Sequence, residues 1–175
     1  MDDQGACRNL EQLVALYHRG VYGYAFRLTG TVHDAEDLTQ QVFLIAQQKL
    51  EDLRNVASAR AWLFAILRSC FLKGCQKKRP VLADTVPVNL GTVYEHFPPD
   101  SGIDQERLQE VLNQLPEKYR LVVVMFYYED CSYREIAERL GLPIGTVMSR
   151  LARAKNQLRH RLLALETAVG AGQRG

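Results

Sequence analysis

Apolar residues recur every three to four positions in the N-terminal half of the chain, which is the spacing of one face of an α-helix. A first helix is therefore predicted over residues 10–29, with apolar positions at Leu10, Leu13, Val14, Tyr17, Val21, Tyr24, Ala25 and Leu28. Gly30 interrupts the pattern, and Thr31 followed by Asp34 indicates the N-cap of a second helix that runs to about Leu50. A third helix, with Trp62 among its core positions, is predicted from about Ala59 to Lys77.

The helical pattern returns near Asp104 in the C-terminal part of the chain. A short helix should end at Pro116, because proline lacks the amide donor that an intrahelical hydrogen bond requires. Residues 117–129 favour a strand by propensity, but no second strand exists to pair with this segment, so a buried helix is predicted. Ser132 and Glu135 have the spacing of a capping box, and Gly141 stands where a turn between helices commonly needs a positive φ.

The helix after Gly141 combines an apolar stripe with a polar face, as the recognition helix of a helix-turn-helix does. The stripe consists of Val147, Leu151, Ala154, Leu158 and Leu162. Three side chains on the opposite face can hydrogen-bond to base edges: Ser149, Arg153 and Asn156. Four cations are suited to phosphate contacts: Arg150, Lys155, Arg159 and Arg161. The predicted DNA-contacting set is completed by Thr146 and Met148.

Together these patterns predict an all-α fold of two small helical domains joined by a flexible acidic linker, the second domain being a helix-turn-helix. The predicted segments are a helical domain at 8–79, a linker at 80–103, a helix-turn-helix domain at 104–165 and a flexible tail at 166–175. The linker is rich in proline and has no helical period. Residues 80–106 contain no Lys or Arg and five Asp or Glu, although the whole chain has a net charge of +2. Two basic ends are thus joined by an acidic middle.

Composition limits the remaining possibilities. The chain has 175 residues, of which 47% are hydrophobic and 24% charged, which fits one or two small soluble domains. Its longest apolar and aromatic run, 121–128, is far shorter than the roughly 20 residues of a membrane span, and its acidic N-terminus is unlike a secretory signal. We therefore expect a cytoplasmic protein without membrane insertion. The Cys and His residues lack metal-ligand spacing, and no nucleophile–base set or glycine-rich phosphate loop is present. No enzyme activity, cofactor, metal or small-molecule substrate is expected.

Four motifs closely resemble the extracytoplasmic-function (ECF) group of bacterial sigma-70 factors. They are D-A-E-D-L-x-Q-x-V-F at 34–43, A-W-L-x-x-I at 61–66, L-P at 115–116, and Y-R-E-I-A-E-x-L-G-x-x-x-G-T-V-x-S-R-x-x-R-A at 133–154. Each motif alone is weak evidence, but their combination and order are specific. The resemblance covers nearly the whole chain, about residues 8–165.

The resemblance implies a protein that binds core RNA polymerase and directs promoter-specific transcription initiation. The residues implied to grip the clamp helices of the polymerase beta-prime subunit are Asp34, Asp37, Gln40 and Phe43. The helix-turn-helix domain is implied to read the minus-thirty-five element while resting on the flap of the beta subunit. Many members of the group are held inactive by an anti-sigma factor, which makes such a protein a candidate partner.

The first domain is implied to melt the minus-ten element. The loop from about Leu53 to Ala59 would capture a flipped base, and the helix from Arg60 to Arg79 would lie along the melting duplex. Flipping a base costs a few kcal/mol, which contacts to the base and to phosphates must offset. The implied minus-ten contacts are Arg54, Asn55, Ser58, Arg60, Arg68, Lys73, Lys77, Lys78 and Arg79.

Three positions depart from the usual pattern of the group. Gln41 stands where Glu is usual, Gln47 where an aromatic residue is common, and Met148 where many relatives have Arg. Two other functions therefore stay open at this point. One is a helix-turn-helix regulator that binds DNA without polymerase, and the other is a sigma-like adaptor that binds polymerase or a regulator but does not open promoters.

Overall fold

The computed structural model describes residues 10–53, 55–78 and 105–172, with side chains described to residue 164 except at 56 and 76–78. The chain divides into two compact units, Met1–Leu82 and Ala83–Gly175. The predicted linker at 80–103, and the predicted contacts Arg54 and Arg79, lie outside the described residues. Within the described ranges all regular structure is helical, so the predicted all-α fold is confirmed.

The described part of the first unit contains three α-helices and two short 3₁₀ turns. The helices are α1 (Leu10–Thr29), α2 (Val32–Gln48) and α3 (Ala59–Lys78), and the 3₁₀ turns are Leu50–Asp52 and Val56–Ser58. Gly30 ends α1 with a φ of 82°, which only glycine adopts without strain. The Thr31 hydroxyl then accepts a hydrogen bond from the Asp34 amide at 3.2 Å, so the predicted N-cap of α2 is confirmed.

Apolar side chains from all three helices form the core of the first unit. Tyr24 of α1 is fully buried and meets Phe64 of α3 edge to face, with ring centroids 4.8 Å apart. Trp62 is half-buried and packs against buried Leu13 and Ala59, in agreement with its predicted place in the core. Other buried apolar residues of this unit are Val21, Leu28, Leu38, Val42, Leu63 and Leu67.

Between residues 105 and 172 the second unit contains four helices: α4 (Gln105–Asn113), α5 (Glu117–Tyr127), α6 (Tyr133–Leu140) and α7 (Ile144–Gly172). Residues 117–127 are helical despite their strand propensity, and Leu121 to Met125 are all buried. Burial on every side stabilises a helix that propensity alone disfavours. One expectation was wrong for part of its range, because α7 continues to Gly172 and residues 166–172 of the predicted tail are therefore helical.

The core of the second unit joins α4 and α5 to α7. It consists of Val111, Leu112, Leu115, Tyr119, Val123, Leu151, Ala154 and Leu158. Arg120 is buried with this core, and its Nη2 donates to the carbonyl oxygens of Asn113 at 2.8 Å and Leu115 at 3.0 Å. These charge-assisted bonds satisfy the last carbonyl of α4 and one in the turn that follows it, and they fix the turn into α5.

Candidate nucleic-acid and protein interfaces

The turn between α6 and α7 has the geometry of a helix-turn-helix. The Glu135 carboxylate accepts from the Ser132 amide and hydroxyl, both at 2.8 Å, and the Ser132 hydroxyl accepts from the Glu135 amide at 3.3 Å. The hydrogen bond from the Ser132 amide is the main cause that lowers the pKa of the Glu135 carboxyl. The bond from the Ser132 hydroxyl lowers this pKa further. Gly141 has a φ of 62°, so both the predicted capping box and the predicted left-handed turn are confirmed.

Apolar contacts hold α7 against the rest of the second unit. Val147 and Leu151 are buried, as are Ile136 and Ala137 of α6, which packs against α7. Further along α7, Ala154 and Leu158 are buried and Leu162 is half-buried. The predicted stripe is therefore the buried face of α7, and this packing sets which face of the helix is left for a ligand.

An ion pair beside the helix-turn-helix, between a buried carboxylate and a partly exposed guanidinium, was not predicted. Glu129 precedes α6 and its side chain is only 4% exposed, and its Oε2 lies 3.1 Å from Nη1 of Arg139. The same Nη1 donates to the buried Cys131 sulfur at 2.8 Å. Asp130, between Glu129 and Cys131, has a φ of 54°. The pair therefore connects the strained turn at Asp130 to α6. Its two residues are ten positions apart, so no helical period in the sequence indicates the contact.

The face of α7 opposite the stripe presents mixed hydrogen-bonding groups. Asn156 is exposed, while Thr146, Met148, Ser149, Arg150 and Arg153 are half-buried. The Ser149 hydroxyl donates to the Thr146 carbonyl oxygen at 3.0 Å, so its oxygen can still accept a bond from outside. Nη1 of Arg153 donates to the Tyr119 hydroxyl at 3.3 Å, which orients the guanidinium. Burial lowers the pKa of Arg150, yet a guanidinium remains charged at neutral pH.

Lys155 is not placed for the phosphate contact that was predicted for it. Only 7% of the residue is exposed, and its Nζ lies 5.0 Å from the centroid of the Phe126 ring and 5.6 Å from that of Tyr127. Burial lowers the pKa of this ammonium, which the two aromatic rings of α5 partly stabilise. Lys155 therefore packs inside the second unit. Arg150, the exposed Arg159 and the half-buried Arg161 remain as predicted phosphate contacts on this helix.

The exposed face of α2 carries three of the four residues predicted to bind polymerase: Asp34, Asp37 and Gln40. Asp34 accepts a 2.6 Å bond from the Thr31 hydroxyl and is thus also part of the helix cap. Asp37 remains exposed, with one carboxylate oxygen 3.6 Å from Nε2 of His33. Phe43 is placed differently, since it is 8% exposed and its ring stacks on His18 of α1 with centroids 6.1 Å apart. It therefore stabilises the first unit and is not available as a surface contact.

Leu44, next to Phe43, is an exposed residue that sequence reasoning missed. It is 59% exposed and lies one helical turn beyond Gln40, so the two residues share a face with Asp37. We call this face the α2 outer face, and it comprises His33, Asp37, Gln40, Leu44 and Gln47. Protein interfaces combine apolar contacts with polar ones, and this face offers both. The run V-F-L-I-A concealed it, because every residue at 42–46 is apolar.

The predicted base-capturing loop forms a 3₁₀ turn in front of α3. Oδ1 of Asn55 accepts from the Ala57 amide at 2.9 Å, and the Ser58 amide donates to the Asn55 carbonyl oxygen at 3.0 Å. Both side chains are exposed at the start of α3. Asn55 therefore shapes the turn with its side-chain oxygen and leaves its amide nitrogen available to a ligand.

The cations of α3 are not equally accessible. Arg60 is exposed with its guanidinium 5.1 Å from the centroid of the Phe64 ring, and Lys73 is also exposed. Arg68 is only 7% exposed, which disfavours the phosphate contact predicted for it. Lys77 and Lys78 lie in the last turn of α3, but their side chains are outside the described part of the structure. Arg60 and Lys73 are thus the two exposed predicted cations on the described part of this helix.

Two further properties concern the described residues only. None of their His, Cys, Asp and Glu side chains forms a group of three that could hold a metal ion. No helix among them is both long enough and apolar enough to cross a membrane.

Comparisons with known proteins match both units. Residues 13–80 match the family model for sigma-70 region 2, and residues 105–158 match the model for sigma-70 region 4. The ECF RNA polymerase sigma factor SigE of Mycolicibacterium smegmatis is 34% identical over 97% of this chain and 68% of its own length. The ECF RNA polymerase sigma factor SigL of Mycobacterium tuberculosis is 36% identical over 83% of this chain and 85% of its own length.

Solved structures show the same fold. The sigma factor RpoE of Bartonella quintana, crystallised in complex with the anti-sigma factor NepR, superposes with a TM-score of 0.64 at 26% identity. That match covers 87% of this chain and 95% of the other. CnrH, in complex with the cytosolic domain of CnrY, gives a TM-score of 0.58 at 24% identity and supports the fold alone.

Proposed function

Because this chain belongs to the ECF group of sigma-70 RNA polymerase sigma factors, we propose that it recruits core polymerase to a promoter with two separately recognised elements. The second unit reads the minus-thirty-five element and the first unit melts the minus-ten element. The chain binds and positions its partners, and the polymerase performs the chemistry.

The observation that carries this proposal is the arrangement of α6 and α7. The capping box and Gly141 form a rigid turn, and the buried stripe of α7 leaves its opposite face outward. That face offers a hydroxyl, an amide and two guanidinium groups within about two helical turns. These are the groups that bond to base edges and phosphates in a major groove. The proposed minus-thirty-five contacts are Thr146, Met148, Ser149, Arg150, Arg153 and Asn156.

Two surfaces of the first unit support the other half of the proposal. The α2 outer face combines the carboxylate of Asp37 with the amide of Gln40 and the apolar side chain of Leu44, so it offers both polar and apolar contacts to the clamp helices of the polymerase. Asn55, Ser58 and the guanidinium of Arg60 are exposed at the start of α3. Asn55 and Ser58 can hydrogen-bond to an unpaired base, and Arg60 can contact the nucleic-acid backbone.

Run-off transcription with bacterial core RNA polymerase tests the proposal. The template carries a promoter identified by sequencing transcript starts after the protein is overexpressed. A sigma factor yields a transcript of defined length that disappears when either promoter element is scrambled. A DNA-binding regulator or a sigma-like adaptor yields none, so the absence of this transcript overturns the proposal in favour of one of those two functions.

An anti-sigma factor is proposed as a second protein partner. The support is the Bartonella quintana relative, which was crystallised with the anti-sigma factor NepR. A factor of this kind would compete with polymerase for the α2 outer face. Leu44→Ala is then expected to weaken both complexes.

A further inference from the structure

A tyrosine outside the helix-turn-helix contacts the proposed DNA-binding face of α7. Tyr119 is the third residue of α5, and its hydroxyl accepts the 3.3 Å bond from Nη1 of Arg153, which lies 34 positions further along the chain. Arg153 is one of the side chains proposed to read base edges. The Tyr119 hydroxyl therefore joins α5 to a group that the proposed function assigns to DNA recognition.

The Tyr119 ring is firmly held, so its hydroxyl has a defined position. The residue is 7% exposed and belongs to the core that joins α4 and α5 to α7. Its amide donates to the Pro116 carbonyl oxygen at 2.9 Å. The neighbouring Arg120 fixes the same turn through its bonds to the carbonyl oxygens of Asn113 and Leu115. A hydroxyl fixed in this way can restrain the half-buried side chain that donates to it.

Tyr119 also lies within electrostatic reach of Arg150, which is one helical turn before Arg153 on α7. Burial lowers the pKa of Arg150, and the Tyr119 side chain opposes this effect by raising it. The hydroxyl thus faces two predicted DNA contacts, one to a phosphate and one to a base edge. Its hydrogen bond is made with the second of them, Arg153.

We propose that Tyr119 is a positioning residue, which holds the guanidinium of Arg153 in the orientation that reads one base pair of the minus-thirty-five element. This inference rests on the proposed function and deepens it, because it names a residue outside α6 and α7 that determines specificity. A guanidinium has five N–H donors, so the bond to Tyr119 is compatible with a bidentate contact to guanine. An arginine restrained beforehand loses less rotamer freedom on binding, which favours the base pair that its orientation fits.

Tyr119→Phe removes the hydroxyl and keeps the ring that packs in the core. This variant should reduce the preference of the holoenzyme for one correct base pair over a substituted one by about 2- to 10-fold, because binding must then immobilise the Arg153 side chain. The loss should be confined to the base pair at which Arg153→Ala loses discrimination. The midpoint of thermal unfolding should fall by less than about 10 °C, as for one lost hydrogen bond. The salt dependence of binding should stay unchanged, because Arg150 keeps its charge.

The measurement titrates holoenzyme made with each variant into fluorescent promoter duplexes, each of which carries one substituted base pair in the mapped minus-thirty-five element. The double variant Tyr119→Phe/Arg153→Ala separates positioning from a purely structural role. If Tyr119 acts through Arg153, the double variant discriminates between base pairs as Arg153→Ala alone does. If Tyr119 only supports the fold, its loss adds to that of Arg153→Ala.

A loss confined to the Arg153 base pair and absent from the Arg153→Ala background supports the inference. Equal discrimination by Tyr119→Phe and the unsubstituted protein overturns it, as does a similar loss at every base pair, a further loss in the double variant, or undiminished discrimination by Arg153→Ala. An unfolding midpoint lowered by more than about 10 °C also overturns it, since the hydroxyl would then serve folding. Failure of the unsubstituted holoenzyme to prefer the intact element would instead overturn the proposed function itself.

Discussion

Adjacent residues of α2 provide the most direct test of how the first unit is built. Phe43 is 8% exposed and stacks on His18, whereas Leu44 is 59% exposed on the α2 outer face. Truncation of a buried Phe to Ala costs about 3–5 kcal/mol, because burial is lost and a cavity remains. In a unit of this size each kcal/mol lowers the unfolding midpoint by about 4–8 °C. Phe43→Ala should therefore lower the midpoint of the first unit by more than about 10 °C.

Leu44→Ala should behave in the opposite way. Its side chain is mostly in water, so its truncation should change stability by no more than about 0.5 kcal/mol. Loss of an apolar anchor at a protein interface costs about 1–2 kcal/mol, which corresponds to a roughly 5- to 30-fold weaker complex with core polymerase. Thermal unfolding followed by circular dichroism measures the first effect, and anisotropy titration of the labelled protein with core polymerase measures the second.

The comparison is informative because the two side chains are neighbours and are both apolar. If Phe43→Ala left the unfolding midpoint unchanged while weakening the polymerase complex, the burial of Phe43 and the assignment of the outer face would both be wrong. If Leu44→Ala instead unfolded the first unit, the assignment of Leu44 as an exposed residue would be wrong. Leu16→Ala is a suitable reference, since Leu16 is also an exposed leucine of the first unit but lies on α1.

Three further predictions, made with four substitutions, concern the second unit. Arg153→Ala should weaken binding to the intact minus-thirty-five element by about 1–3 kcal/mol relative to a scrambled one, and an equal loss on both would make it a phosphate contact. Lys155→Met should leave the salt dependence of DNA binding unchanged, because the Lys155 ammonium is buried. Arg150→Met should instead reduce the slope of log affinity against log salt concentration by about one. Filter binding over a series of salt concentrations measures both slopes. The lowered pKa of Glu135 means that its capping bonds stabilise the fold above the ordinary glutamate pKa and are lost as the pH falls through the folded value. Ser132→Ala should therefore lower the free energy of unfolding at neutral pH, and the difference from the unsubstituted protein should shrink in acid. Urea unfolding at pH 7 and near pH 3 measures this difference, and an equal difference at both pH values would contradict the prediction.

Features that depend on neighbours in the chain were predictable from the sequence. The end of α1 follows from Gly30 and the start of α2 from Thr31. The turn of the helix-turn-helix follows from Ser132, Glu135 and Gly141. The buried stripe of α7 follows from its period, since side chains three and four residues apart share one face. Caps, turns and helical periods are short-range interactions, so their signals survive in a single sequence.

Tertiary structure decided which residues of an apolar or charged run reach the surface. In the run at 42–46, packing of α2 against α1 buried Phe43 and left Leu44 outside, although the two are equally apolar in the sequence. Lys155 and Arg68 were expected on a DNA surface, but aromatic rings cover the first and the core of its own unit encloses the second. The pair between Glu129 and Arg139 joins residues ten positions apart. Such outcomes depend on how the helices pack against one another. They cannot be predicted from the local sequence, because the burial of a side chain is decided by residues that are distant along the chain.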